Sequence, residues 1–373
     1  MTIDTHFRLA AIQAAAVPFD REASVEKACR LIREAGAMGA TIAAFGETWL
    51  PGYPFFCHAP TGPLTFRAMA EYLDSAVEIP SPATDRLCDA AESAGIDVVI
   101  GVAERDAVTK GTVYCTLLFI GREGRILGRH RKLKPTFNER SVWADGDAIG
   151  LRVHQRPYGR ISGLNCWEHN TMLPGYALAA QGTQIHVAAW PGREPAVAPP
   201  SPTPLWPRQL LLSRAFASHA GCYVIAVGGM RSHEATPERY RELSTIEYTG
   251  DSVIIDPRGE IIAGPAHGET ILIADGSREI VLAAKALCDI GGHYSRPDLL
   301  RLLVDRDPQD RVIDCGLAGR VRPDMWEWGC SIDPLDARSR NDIGRDQRVR
   351  AKSTAAVLPP LSTTAMRSPA SGL

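Results

Sequence analysis

Apolar positions along this chain switch between runs and a helical spacing, and the switches mark out its elements. Arg8 to Val17 is an almost unbroken apolar run closed by Pro18, which predicts a buried strand. Val25, Ala28, Cys29, Ile32 and Ala35 then recur three and four apart, so a helix is predicted over about 21–36. Asp20 can cap its start, and the glycines at 36 and 39 end it. Thr41 to Glu47 is again short and apolar. Strand, helix, strand is the opening of an α/β layer architecture.

The pattern continues with a helix from Pro82 to Ala94 and a strand from Asp97 to Ala103. Val113 to Ile120 and Arg125 to Arg129 flank the turn Gly121-Arg-Glu-Gly124, the signature of an antiparallel hairpin. Ser252 to Ile262 repeats that signature, so mixed sheets are expected. Strands at 160–166, 184–190 and 222–227 alternate with helices at 173–181 and 209–220. Pro191 to Pro207 holds seven prolines and reads as a loop, either a rigid connector or the rim of a pocket. About ten to twelve strands and four to six helices follow without a linker-like break, so a single domain over 1–335 is expected. From Asp336 large apolar residues become scarce and arginines accumulate, and 336–373 reads as a solvated, disordered tail. No internal repeat is visible.

Composition narrows the function classes. The 373 residues carry 41 basic and 43 acidic side chains, a net charge of −2, so no global field favours nucleic acid or an anionic membrane. No apolar run has membrane-spanning length, and the first residues lack a basic flank and an apolar signal core. The nine cysteines are irregularly spaced, unlike a secreted disulfide framework, and a cytoplasmic location is expected. Cys-x-x-Cys and His-Glu-x-x-His are both missing, so a structural zinc site is not expected.

Three strand ends carry candidate chemistry. Cys166 closes an apolar strand and precedes Trp167-Glu168-His169, at the kind of strand end where α/β sheets place ligands. Alone it reads more readily as an inert small core residue, and the other eight cysteines read as packing residues. Gly46-Glu47-Thr-Trp-Leu-Pro-Gly-Tyr-Pro54 places a carboxylate after a second strand, and His130-Arg-Lys-Leu-Lys-Pro-Thr-Phe-Asn-Glu-Arg140 places lysines and a glutamate after a third. A solvated carboxylate and a basic surface turn would explain those two separately. Together, a thiol, a carboxylate and an ammonium are the parts of a covalent hydrolase.

These segments, with Gly-His-Tyr-Ser-Arg-Pro-Asp at 292–298, resemble the nitrilase family, the nitrile-hydrolysing branch of the carbon–nitrogen hydrolases. The resemblance runs from about residue 8 to 300, with the motifs in the family's order. It implies a four-layer α-β-β-α sandwich. It places the family's base on Glu47, its lysine on Lys132 with Lys134 as the alternative, its nucleophile on Cys166 and its second glutamate on Glu139. Tyr53, Trp167 and Trp190 are candidate substrate contacts, and Phe55, Phe56, Trp143 and Trp206 are further candidate pocket aromatics. The implied activity is hydrolysis of a small nitrile to acid and ammonia, without a cofactor. An amidase or carbamoylase, a cyanide-hydrating enzyme and a filament-forming protein with a dead site are the alternatives. A homodimer or larger spiral homo-oligomer is implied, its main interface near 175–189 and 209–220.

Overall fold

Period-two alternation within the strands decides how the layers stack. A computed structural model describes residues 5–195, 204–307 and 312. In it, β1 (His6–Gln13) turns Leu9 and Ala11 to one face and Ala10 and Ile12 to the other. There follow α1 (Arg21–Ala37), β2 (Ile42–Phe45), α2 (Pro63–Ser75), α3 (Pro82–Ala94), β3 (Asp97–Arg105), β4 (Val113–Gly121) and β5 (Arg125–Arg131). The second half holds β6 (His154–Arg156), β7 (Gly159–Asn165), α4 (Met172–Ala179), β8 (Ile185–Trp190), α5 (Leu205–Ala220) and β9 (Tyr223–Gly228). Then come β10 (Met230–Arg231), β11 (Tyr248–Thr249), β12 (Val253–Ile255), β13 (Ile261–Ala263), β14 (Thr270–Ser277) and α6 (Arg278–Leu287).

Two six-stranded sheets result, ordered β14-β1-β2-β3-β4-β5 and β6-β7-β8-β9-β12-β13. Read in those orders, both sheets pair antiparallel, parallel, parallel, antiparallel, antiparallel. The halves therefore share a topology although the sequence shows no repeat. Leu9, Ile42, Val99 and Leu117 of the first sheet face Ile161, Ile185, Val187 and Ile225 of the second, forming the central core. The outer face of the first sheet, with Ile12, Phe45 and Ile100, is covered by α1 and α3 through Val25, Ile32 and Leu87. Ala188, Trp190 and Val224 pack under α5 through Trp206 and Ala217. This is the expected four-layer α-β-β-α sandwich with mixed sheets.

Several boundaries moved, each for a local reason. β1 stops at Gln13, whose buried amide accepts from Ser252 N–H at 2.7 Å and donates to the carbonyls of Ala266 (3.1 Å) and Gly268 (2.8 Å). The expected loop to Pro207 ends early, because α5 begins at Leu205, with Pro204 as its N-cap. Pro207 falls in the first turn, where a missing N–H costs nothing. The α2, β6, β14 and α6 segments were not anticipated. The described residues between 5 and 307 form one compact unit. The expected boundary at 335, the tail 336–373 and the centre of the proline-rich loop lie outside the described residues. No helix among the described residues is long and apolar enough to cross a membrane.

Candidate active site

Three segments leave the sheets beside one another. Glu47 lies just past β2, Lys132 just past β5 and Cys166 just past β7. Each neighbourhood contains a non-glycine residue in the left-handed region: Thr48 at φ 41°, Phe137 at φ 42° and Cys166 itself at φ 47°. Such backbone costs about 1–3 kcal/mol per residue and persists where the surroundings hold it. The two sheets are tied here, for Glu47 N–H and Gly229 N–H both donate to Trp190 O, at 3.3 and 3.0 Å. Gly101 of β3 passes beneath the Glu47 turn so closely that a Cβ there would lie 2.2 Å from Gly46 O.

The Lys132 ammonium is fully buried between two carboxylates, donating to Glu47 Oε1 and Glu139 Oε2, each at 2.7 Å. Burial opposes its charge, but Glu139 and Glu47 outweigh burial and hold Lys132 well above the ordinary lysine range. The carboxylates are not equivalent. Glu139 Oε2 also accepts from Thr136 N–H at 2.7 Å, and its Oε1 accepts from Tyr53 O–H at 3.1 Å. Glu47 Oε2 is buried and has no partner among the described residues. Burial, reinforced by Glu139 and opposed by Lys132, pushes Glu47 up to about 7. The Cys166 thiol is also pushed well above its usual value, by burial first and then by Glu47, with Lys132 and Trp167 N–H pulling the other way. Glu47, Glu139 and Cys166 bring a carboxylate or sulfur atom each within 4.8 Å of one another. A protonated thiol thus lies beside a carboxylate with one idle oxygen, arranged for proton transfer.

A second set of side chains holds these positions. Glu168 is buried and accepts from Leu133 N–H at 2.9 Å and Asn165 N–H at 2.8 Å, so it ties the residue after Lys132 to the residue before Cys166. Its oxygens also lie 3.0 and 3.1 Å from His130 Nε2. Burial alone would raise Glu168, but His130 and the two N–H groups lower it. Behind the thiol, His169 Nδ1 lies 2.8 Å from Cys166 O, and its Nε2 lies 3.0 Å from His186 Nε2. His186 Nδ1 reaches Ser162 Oγ at 2.8 Å. Burial lowers His169 to about 4 and His186 well below its usual value, so both rings are neutral at pH 7. Because a carbonyl only accepts, His169 donates through Nδ1, which makes His186 the Nε2–H donor and Ser162 the donor to His186.

Glu47, Lys132, Glu139 and Cys166 therefore come together, and Tyr53 joins them through Glu139. Lys134 does not; its exposed ammonium pairs with Asp145 at 2.7 Å. Trp167 packs edge-on to Phe137 at 5.6 Å. The Trp190 side chain turns to the outer core, stacking on His169 at 4.9 Å and donating to Ser213 at 3.0 Å, so only its carbonyl serves the site. Phe55 and Phe56 belong to a core cluster with Trp143, whose ring centre lies 5.6 Å from Lys132 Nζ, and Trp206 packs under α5. Cys115, expected to be a packing residue, reaches the site, where its thiol donates to Glu47 Oε1 at 3.5 Å. The sequence reading passed over Tyr248, whose ring meets Tyr53 edge-on at 5.5 Å. Neither sits in a motif, so only the fold reveals them.

A family model described as carbon–nitrogen hydrolase matches residues 8–285. The chain belongs to the carbon–nitrogen hydrolase family. Among relatives of this hydrolase, a protein named Nitrilase 2 from an unknown prokaryotic organism is 54% identical over 307 residues, covering 82% of this chain and 94% of that one. The aliphatic nitrilase of Sinorhizobium fredii (strain HH103) is 36% identical over 323 residues, covering 83% and 99%. The solved carbon–nitrogen hydrolase of Helicobacter pylori G27 superposes with a TM-score of 0.61 at 18% identity, covering 76% of this chain and 93% of its own, a likeness of fold.

Proposed function

We propose that this carbon–nitrogen hydrolase converts an organic nitrile and two waters into a carboxylic acid and ammonia, through covalent intermediates on Cys166. The nearness of the protonated, buried Cys166 thiol to the Glu47 carboxylate, whose Oε2 is idle, carries this reading. A nitrile carbon is a weak electrophile and needs a thiolate. Glu47 takes the thiol proton as sulfur attacks, and that proton passes to the nitrile nitrogen, giving a thioimidate. The Lys132 charge stabilises the negative charge that develops at nitrogen. Water adds to the C=N bond with Glu47 as base, and the nitrogen leaves as ammonia, so a thioester remains. A second water, again deprotonated by Glu47, releases the acid and restores the thiol. Glu139, with both oxygens already bonded, holds Lys132 and is a positioning residue.

Relatives named as nitrilases support the substrate class. We also assign a cytoplasmic location, in keeping with seven free cysteines among the described residues. A homo-oligomer is part of the same reading. Met172 (85% exposed), Leu173 (63%) and Leu211 (63%) on α4 and α5 leave apolar surface uncovered. Light scattering reads the mass, and a monomer at micromolar concentration would end that part of it.

The test of activity is ammonia release from cyanide, an aliphatic dinitrile, benzonitrile and phenylacetonitrile, with the matching amides, for the native chain and Cys166→Ala. Acid and ammonia from a nitrile, abolished by the substitution, is the expected result. Turnover of amides alone would move the chain to amide hydrolysis.

A further inference from the structure

Arg231, in β10 just past the end of β9, is only 7% exposed. Its hydrogen-bond partners among the described residues are two hydroxyls: Nη2 donates to Thr236 Oγ1 at 2.9 Å and to Ser244 Oγ. Its Nε and Nη1 are buried without a partner among the described residues. One face of the guanidinium lies over Phe55, 4.8 Å from the ring centre, which steadies the plane but satisfies no N–H. Glu247 is nearby, yet its Oε1 accepts from His233 N–H at 2.6 Å. Burial lowers Arg231 to about 10, so it stays charged at neutral pH.

A buried cation with idle donors is costly unless something completes it. Two small cavities border Arg231, and one of them reaches the Glu47 side of the site. A cavity of about 20 Å³ is lined by Arg231 together with Glu47, Tyr53 and Tyr248. That is room for roughly one water-sized group between the base and the guanidinium. Charge points the same way. Glu47 and Glu139 share one ammonium, so with both ionised the centre is net negative and would repel an anionic substrate. A second cation on the same cavity removes that penalty, and Arg is the side chain best suited to a carboxylate.

We propose that Arg231 recognises an anionic group on the substrate, and that the preferred nitriles carry a carboxylate a few bonds from the cyano carbon. This rests on the nitrile-hydrolysing reading above and narrows its substrate class. The test compares kcat/KM for 4-cyanobutanoate with its neutral isostere 5-methylhexanenitrile, in the native chain, Arg231→Gln and Arg231→Lys. The native chain should favour the cyano acid, and Arg231→Gln should lower the acid-to-neutral ratio by about 10–100-fold, mainly through KM. Arg231→Lys should recover part of the ratio. Neutral nitriles turned over in preference to cyano acids, or a ratio unmoved by Arg231→Gln, would overturn the assignment while leaving nitrile hydrolysis intact. No ammonia from any nitrile would overturn both. Should the variants misfold, inhibition of the native chain decides. Glutarate, the acid formed from 4-cyanobutanoate, should compete at least about tenfold more tightly than glutaramide. Equal inhibition would refute the anion site.

Discussion

Replacing Glu47 by Gln keeps the outline of the side chain and an acceptor for Lys132 but removes the negative charge. Burial, helped by Glu139 and opposed by Lys132, holds the Glu47 carboxyl at about 7 instead of 4.5. A rise of that size corresponds to about 3 kcal/mol between the two protonation states. The folded chain holds this proton more tightly than the unfolded chain does. Its contribution to stability is therefore full below about pH 4.5 and lost as pH rises through about 7. Glutamine undergoes no such loss. Denaturant midpoints measured against pH should show Glu47→Gln gaining on the native chain by about 3 kcal/mol between about pH 4.5 and about pH 8.5. Turnover should move oppositely. The native kcat/KM should climb through about pH 7 as the base ionises, and Glu47→Gln should lose about 10²–10⁴-fold. Parallel stability curves for the two proteins would refute the account of a desolvated base held at a cost in stability.

Lys132→Met leaves Glu47 and Glu139 buried without their shared cation, at a cost of about 3–5 kcal/mol at neutral pH. Glu47, no longer opposed by Lys132, then holds its proton more tightly still when folded, so the variant should gain thermal stability from pH 8 to pH 5.5, and a variant unfolding alike at both values would contradict this. Glu168→Gln removes a carboxylate that folding holds below its ordinary value, so stability present above that value should fall by about 2–3 kcal/mol. The gap should close as pH drops below the ordinary carboxylate range, and kcat should suffer more than KM because Leu133 and Asn165 lose their common anchor. A shifted KM with unchanged kcat would argue against that positioning role.

Much of this molecule was legible because its strands are buried on both faces and its first helices are amphipathic. The α1 and α3 segments and the β4–β5 hairpin fall within a residue or two of the expected limits. The inward face of α2 carries Thr65, Ala68, Tyr72 and Ser75, too polar and small a stripe to stand out after a Pro/Gly-rich stretch. β14 was missed because it is an edge strand whose partner β1 lies at the other end of the sequence, and local pattern does not encode that pairing. At the site, the motifs name the reacting side chains but not their division of labour. That Glu47 keeps a free oxygen while Glu139 has none follows from Tyr53, Thr136 and Lys132 converging in space. The same holds for Arg231, whose isolation is a property of packing and leaves no local trace.

The pairing of β1 with β14, from His6–Ser277 to Gln13–Thr270, also has a bearing on how the chain is made. On the ribosome the first sheet keeps an open edge until the strand at 270–277 has emerged, long after Cys166 has left the tunnel. During that interval the proposed nucleophile waits for its proposed proton acceptor, Glu47, on a sheet that still lacks its edge strand. On the proposed reaction, the order of synthesis thus completes the base's sheet last.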